Sequence, residues 1–172
     1  MKYEARQPHG HRISRDPYVT LMADADGVGY VHCGDGVLVV PLTGDGQVLL
    51  GVERSPALDS DVLGLVGGEV KEGEALEETA NRELQEELGW RAQRVDFLGE
   101  LHPFKYLASR HFAFLARGLV PNKLKGDERH PVGTRQVELD RFPELVTSGE
   151  LHDTLTIAVL CLAGRFLAQE DC

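Results

Sequence analysis

The sequence has little that would staple it, anchor it in a membrane or draw it to a polyanion. Its three cysteines (Cys33, Cys161 and Cys172) form no Cys-x-x-Cys and no paired spacing. That excludes a disulfide framework and a zinc ribbon, and it fits reduced thiols in a cytoplasmic protein. No apolar run nears the ~18 residues of a membrane span; the longest is Ile157–Ala163. The amino-terminal stretch Met1-Lys-Tyr-Glu-Ala-Arg-Gln-Pro-His9 lacks the apolar centre of a signal peptide, so secretion is not expected. Bases are scarce as well: 18 Lys and Arg stand against 28 Asp and Glu, a formal charge of −10. A nucleic-acid-binding face, whose mark is a basic patch, is therefore disfavoured. An acidic, metal-requiring site fits this balance, and so does a merely soluble surface.

What is present fits one ordinary globular domain. At 172 residues the chain lies within the usual ~100–200 of a single domain. With 42% hydrophobic and 27% charged residues, it can bury a core of its own. There is no internal repeat, low-complexity tract or linker. Residues 1–16 are polar, carry four Lys or Arg and two His, and read as a flexible N-terminal segment; residues 17–172 read as the domain.

Short β-type runs occupy 18–22, 30–33, 36–42 and 47–53, and the Gly44-Asp-Gly46 turn predicts a hairpin between the last two. Asp61–Val66 leads into Gly67 and Gly68. A helix is predicted over 74–88, with strong formers throughout and Gly89 just past its end. Further β-type runs lie at 93–101, 111–119 and 134–140, followed by helices at 142–148 and about 153–168. The expected class is α/β, a mixed sheet covered by helices.

The acid is concentrated. Gly68–Trp90 holds eight glutamates and two bases, −6 of the −10. At about 100° per helical residue, Glu83, Glu86 and Glu87 share one arc, while Ala80, Leu84 and Leu88 form an adjoining strip that can dock on a sheet. Glu86 and Glu87 also sit in the last turn, the negative end of the helix dipole. Like charges so placed raise each other's proton affinity unless a cation compensates. Mg²⁺ or Mn²⁺ suits such oxygen donors and bridges them to phosphates. Arg82 can reach Glu78 and Glu86 at i±4 spacing. Taken alone, the helix reads first as a solvated face laced with ion pairs.

The longer pattern decides. From Gly68 the chain runs G-E-V-K-E-G-E-A-L-E-E-T-A-N-R-E-L-Q-E-E-L-G-W, which resembles the Nudix hydrolase box G-x5-E-x7-R-E-U-x-E-E-x-G-U, where U is a bulky apolar residue. Gly68, Glu74, Arg82, Glu83, Glu86, Glu87 and Gly89 match, and Leu84 and Trp90 fill the U positions. The resemblance implies an α/β/α sandwich around a mixed β-sheet. It also implies hydrolysis of a nucleoside diphosphate linked to another group, X. Mg²⁺ or Mn²⁺ would be held by Glu83, Glu86 and Glu87 with the Gly67 carbonyl, Glu86 counting among the catalytic residues. Gly68, Glu74, Arg82 and Gly89 would brace the loop–helix–loop.

The ADP-ribose pyrophosphatase and ADP-compounds branch carries an acidic loop after the box. Gly126-Asp-Glu128 is its counterpart here, with Glu128 the first choice for general base and Asp127 the second; a plain polar loop is the alternative. In the same branch Arg54 matches a phosphate-contacting arginine. Phe104 and Tyr106 are candidates to stack on a base, and Arg110 to meet phosphate. Gly64 replaces an acid usual in the branch, and the compact first 50 residues leave little room for the swapped N-terminal sheet of its larger members. His102, His111 and His130 lie near these loops and read as solvent or core residues.

ADP-ribose and related ADP-X compounds are the first expectation for substrate. NADH and dinucleoside polyphosphates come next. A nucleotide-sensing domain without catalysis, or an enzyme acting on damaged nucleoside triphosphates or RNA caps, are further readings. The resemblance also implies a homodimer whose partner molecules are small nucleotides, with no nucleic acid and no membrane.

Overall fold

The two most apolar runs, Gly36–Pro41 and the first half of His111–Pro121, are buried on both faces and so belong in the middle of a sheet. The structure, a computed structural model, describes residues 11–15, 19–55, 57–126 and 133–170. In chain order the strands are β1 (His11–Arg15), β2 (Val19–Ala23), β3 (Gly29–Cys33), β4 (Gly36–Pro41), β5 (Gln47–Ser55), β6 (Ser60–Gly64) and β7 (Val66–Glu69). Helix α1 (Leu76–Glu87) follows, then β8 (Trp90–Leu101), β9 (Leu107–Ala108), β10 (His111–Pro121), β11 (Gly133–Glu138), α2 (Phe142–Ser148) and α3 (Thr154–Glu170).

The central sheet has the order β7-β4-β10-β8. It is mixed, because β4 and β10 run parallel (Gly36 beside His111, Pro41 beside Ala116) while its outer pairs are antiparallel. Alternation along β4 and β10 then divides the core. Val37, Val39, Phe112, Phe114 and Ala116 face α1 and meet Leu76, Ala80 and Leu84. Val40, Ala113 and Leu115 face the other way, toward Leu50, Leu63 and Leu65 and toward Val159, Leu160 and Ala163 of α3. Each fully buried Leu, Val or Phe in these layers contributes roughly 1.5–3 kcal/mol. Helices on both faces of a mixed sheet make the expected α/β/α sandwich.

Two expectations need correction. The hairpin between β4 and β5 does not form as a ladder; the strands share one bridge, Leu42 to Val48. The turn itself is present, since Thr43 Oγ1 accepts the Gln47 N–H at 3.0 Å. But β4 already has β7 on one edge and β10 on the other, so β5 must leave for a second sheet of order β11-β5-β6. The N-terminal segment is also not wholly flexible. His11–Arg15 pairs antiparallel with β2, in a third sheet of order β1-β2-β3-β9. The ladder satisfies backbone groups whatever the polarity of the side chains. The early residues thus supply β1, β2 and β3 of that sheet; residues 1–10 and 16–18 lie outside the described residues. Among the described residues, no helix is long and apolar enough to cross a membrane.

Candidate active site

Helix α1 docks through Leu76, Ala80 and Leu84, all at most 2% exposed, and this fixes which way its acidic arc faces. That arc lies against β7. Glu83 and Glu87 are 6% and 8% exposed, although both are carboxylates. Glu87 Oε1 accepts the Gly67 N–H at 3.3 Å. Gly68 has no side chain for a reason visible here: a β-carbon would collide with the Glu83 carboxylate. One position earlier, a β-carbon on Gly67 would strike the Val37 carbonyl of the neighbouring strand β4. The paired glycines therefore do different things, Gly67 admitting strand pairing and Gly68 admitting a carboxylate.

Arg82 organises the rest. Its guanidinium grips Glu74 with two hydrogen bonds, Nε to Oε1 at 2.9 Å and Nη2 to Oε2 at 3.1 Å. It also donates to Glu83 Oε1 at 2.6 Å, to Glu86 Oε2 at 3.1 Å and to the Glu69 carbonyl at 3.1 Å. Loop, strand end and helix are tied at one point. Of the two partners expected from spacing, Glu86 is met; on the amino-terminal side Arg82 reaches Glu74. The Arg82 hydrogen bond holds the Glu74 carboxyl below its ordinary range, and Glu74 in turn keeps Arg82 more firmly protonated than usual.

Lys123 closes the far end of α1. Its ammonium donates to the Glu86 carbonyl and, at 3.1 Å, to the Glu87 carbonyl, placing a cation on the negative end of the helix dipole. Gly89 turns the chain with φ of 78°, and its carbonyl accepts the Asn122 N–H at 2.8 Å. No spacing rule points from Asn122 and Lys123 to a helix end more than thirty residues back, so the sequence reading missed both.

The arrangement can be tested against a hard divalent ion. Among the described residues, no three acidic, histidine or cysteine side chains already converge on one point. The donor chemistry nevertheless fits. The carboxylates are hard oxygen donors from adjoining turns, two of them are nearly sequestered from water, and Gly68 leaves backbone room beside Glu83. Arg82 holds Glu83 and Glu86 together as a cation would.

Beside this patch is a cleft of about 330 Å³, lined among others by Cys33, Asp35, Gly67, Gly68, Glu69 and His111. His111 is a residue the sequence left as a bystander. Burial lowers its proton affinity, against the pull of Asp35 and Asp153, and its buried Nδ1 has no hydrogen-bond partner. A neutral imidazole thus lines the cleft.

The other candidates are dispersed. Arg110 is engaged elsewhere: its Nε donates to Asp35 Oδ2 at 2.8 Å, its backbone N–H to Asp35 Oδ1 at 2.7 Å, and its guanidinium lies 5.3 Å from the Phe112 ring. It fastens the start of β10 to the start of β4. Arg54 pairs with Asp59 in the β5–β6 turn. Phe104 and Tyr106 are 60% and 43% exposed and meet edge to face with centroids 5.5 Å apart, Lys105 lying 4.8 Å over the Tyr106 ring. Asp127 and Glu128 lie outside the described residues, as does His130.

A carboxylate helix laid on a Gly-Gly strand and braced by an Arg–Glu clamp is the architecture of the Nudix hydrolases. The NUDIX domain family matches residues 34–154, and the chain belongs to that family as a Nudix pyrophosphohydrolase. Among its relatives is the ADP compounds hydrolase NudE of Escherichia coli (strain K12), 30% identical over 134 residues, or 77% of this chain and 72% of that protein. An ADP-ribose pyrophosphatase of Bacillus subtilis (strain 168) is 28% identical over 70% of this chain and 66% of its own length. A crystal structure of an ADP compounds hydrolase superposes with a TM-score of 0.79 at 26% identity, covering 93% of this chain and 92% of that one.

Proposed function

We propose that the chain hydrolyses the diphosphate bond of ADP-ribose or a related ADP-X compound, with Mg²⁺ or Mn²⁺ held by Glu83, Glu86, Glu87 and the Gly67 carbonyl. The observation that carries this reading is the near-buried pair Glu83 and Glu87 pressed against Gly67 and Gly68. Arg82 already meets part of that charge at Glu83, and a hard divalent ion suits the same carboxylate oxygens. A divalent ion there would neutralise phosphoryl oxygens and lower the pKa of a bound water. The chain's own part is to hold its carboxylates in register through Arg82, and to supply a general base, for which Glu128 is the candidate and Asp127 the second.

Phe104 and Tyr106, exposed and meeting edge to face, are the proposed platform for the adenine. Among the described residues, none lining the cleft is a lysine or arginine, so neutralising a diphosphate falls to metal. We further propose a homodimer, active in the cytoplasm. The names of the relatives favour hydrolysis of ADP-linked compounds over a purely sensing role.

The test is incubation with ADP-ribose, NADH, diadenosine triphosphate, 8-oxo-dGTP and capped RNA in Mg²⁺ or Mn²⁺. Preferential release of AMP from ADP-ribose supports the reading, and absence of cleavage across the panel refutes it.

A further inference from the structure

His111 opens β10, paired with Gly36 of β4 on one side and with Leu101 of β8 on the other. The residue before it tightens this frame. The Arg110 carbonyl accepts the Gly36 N–H at 2.9 Å, and the Arg110 N–H donates to Asp35 Oδ1 at 2.7 Å. A side chain carried on paired strands is placed more precisely than one on a loop.

The two edges of the His111 ring lie in different surroundings. Nδ1 is sealed from water and has no hydrogen-bond partner. The Cδ2–Nε2 edge lies over Gly36, where a β-carbon would stand 3.5 Å from both ring atoms and 3.1 Å from the Gly68 carbonyl. Gly36, Gly68 and His111 all line the cleft beside the box. Gly36 thus keeps open the space between this ring edge and the box strand.

That asymmetry fixes what the ring can offer. Burial keeps the imidazole neutral against the pull of Asp35 and Asp153, so one nitrogen is a donor and the other an acceptor. Orphaned buried N–H groups are rarer than orphaned buried acceptors, which puts the proton on Nε2 and leaves a bare lone pair at Nδ1. Among the described residues lining the cleft, His111 alone has a side-chain nitrogen.

We propose that His111 is a further catalytic residue, its Nε2–H donating to a phosphoryl oxygen of the ADP-linked substrate as negative charge builds there. The proposal rests on the ADP-X hydrolase reading above. Hydrolysis of a diphosphate loads charge onto phosphoryl oxygens, and a donor fixed in advance stabilises that charge without reorganising. An uncharged donor does so without repelling a divalent ion seated at the neighbouring carboxylates. Losing one hydrogen bond to a charged group costs roughly tenfold to a hundredfold in rate.

The experiment has two independent readouts. Long-range ¹H–¹⁵N NMR of the histidine rings, with His111 assigned by its absence from His111→Gln, reads the tautomer with no substrate present. At about pH 8, above the ordinary imidazole range, a single proton on Nε2 is expected. Hydrolysis of ADP-ribose in Mg²⁺ then compares the wild type with His111→Leu and His111→Gln. Leucine removes the donor, and Nδ1 has no partner to lose. His111→Leu should therefore keep the wild-type Tm while kcat falls about tenfold to a hundredfold and KM changes far less. Glutamine carries an N–H at about the reach of Nε2 and should recover most of the lost kcat.

A proton found on Nδ1, a His111→Leu enzyme with wild-type kcat, or a His111→Gln enzyme no faster than His111→Leu each overturns the proposal. A wild type that leaves ADP-ribose uncleaved overturns the ADP-X reading beneath it. That failure is distinct, because in the former cases the wild type still hydrolyses ADP-ribose.

Discussion

Two adjacent glycines should separate chemistry from folding. In Gly68→Ala the new methyl would occupy space now held by the Glu83 carboxylate. Non-bonded heavy atoms settle near ~3.5 Å, so that carboxylate must withdraw by about 1 Å. It can do so, being the far end of a flexible side chain, and the fold should lose less than about 1 kcal/mol. A misplacement of ~1 Å at a catalytic group costs about a hundredfold in rate, some 2.7 kcal/mol of transition-state stabilisation. In Gly67→Ala the methyl would instead meet the Val37 carbonyl, a backbone atom in the paired strand β4. Nothing flexible can give way, and overpacking of this kind costs ~1–3 kcal/mol of stability.

Thermal denaturation and metal-dependent ADP-ribose hydrolysis, measured on both variants, read the two effects apart. Gly68→Ala should retain its Tm and lose turnover, while Gly67→Ala should lose Tm. A Gly68→Ala enzyme with wild-type turnover and metal dependence would refute the claim that Glu83 works from this cradle.

Glu87→Gln should keep the fold, since an amide oxygen can still accept the Gly67 N–H, yet lose about 10²–10³ in kcat for want of the charge. Lys123→Met removes the cation from the α1 carboxyl end and should lower stability by about 0.5–1 kcal/mol, a Tm fall of roughly 1–4 °C by calorimetry. Acid should act in two stages. The folded His111 has a proton affinity below its ordinary 6.5, so the unfolded chain binds the extra proton and stability falls as pH drops below that value; His111→Asn should flatten this limb. The folded Glu74 titrates below its ordinary 4.5, so its contribution is present above that pH and is lost on further acidification. Denaturation midpoints from about pH 8 down to about pH 2 would show both limbs.

The parts of this molecule that could be read from the chain are those whose cause is local. Helix α1 follows from an unbroken run of helix formers ended by Gly89, and its acidic arc from the helical repeat; Glu83 and Glu86 on that arc share the Arg82 guanidinium. The parts that could not be read depend on distant pairing. Gly44-Asp-Gly46 is a real turn signal, but whether it makes a hairpin depends on β4 having both edges taken by β7 and β10. Lys123 caps a helix that ends at Glu87, and Arg110 answers Asp35 from the neighbouring parallel strand. Arg82 turned to Glu74 rather than Glu78 because the chain before α1 bends back over it, a geometry helical spacing does not contain. Polar residues at 11–15 form a strand because ladder bonds are made by backbone, which composition does not report.

The acidic arc of α1 is the proposed seat for a divalent ion. The most direct measurement is a calorimetric titration of Mg²⁺ and of Mn²⁺ into the protein in the presence of ADP, for the wild type and for Glu83→Gln and Glu87→Gln. The wild type should take up the ions, and each variant should bind them at least tenfold more weakly. A wild type that takes up neither ion, or variants that bind as the wild type does, would contradict it.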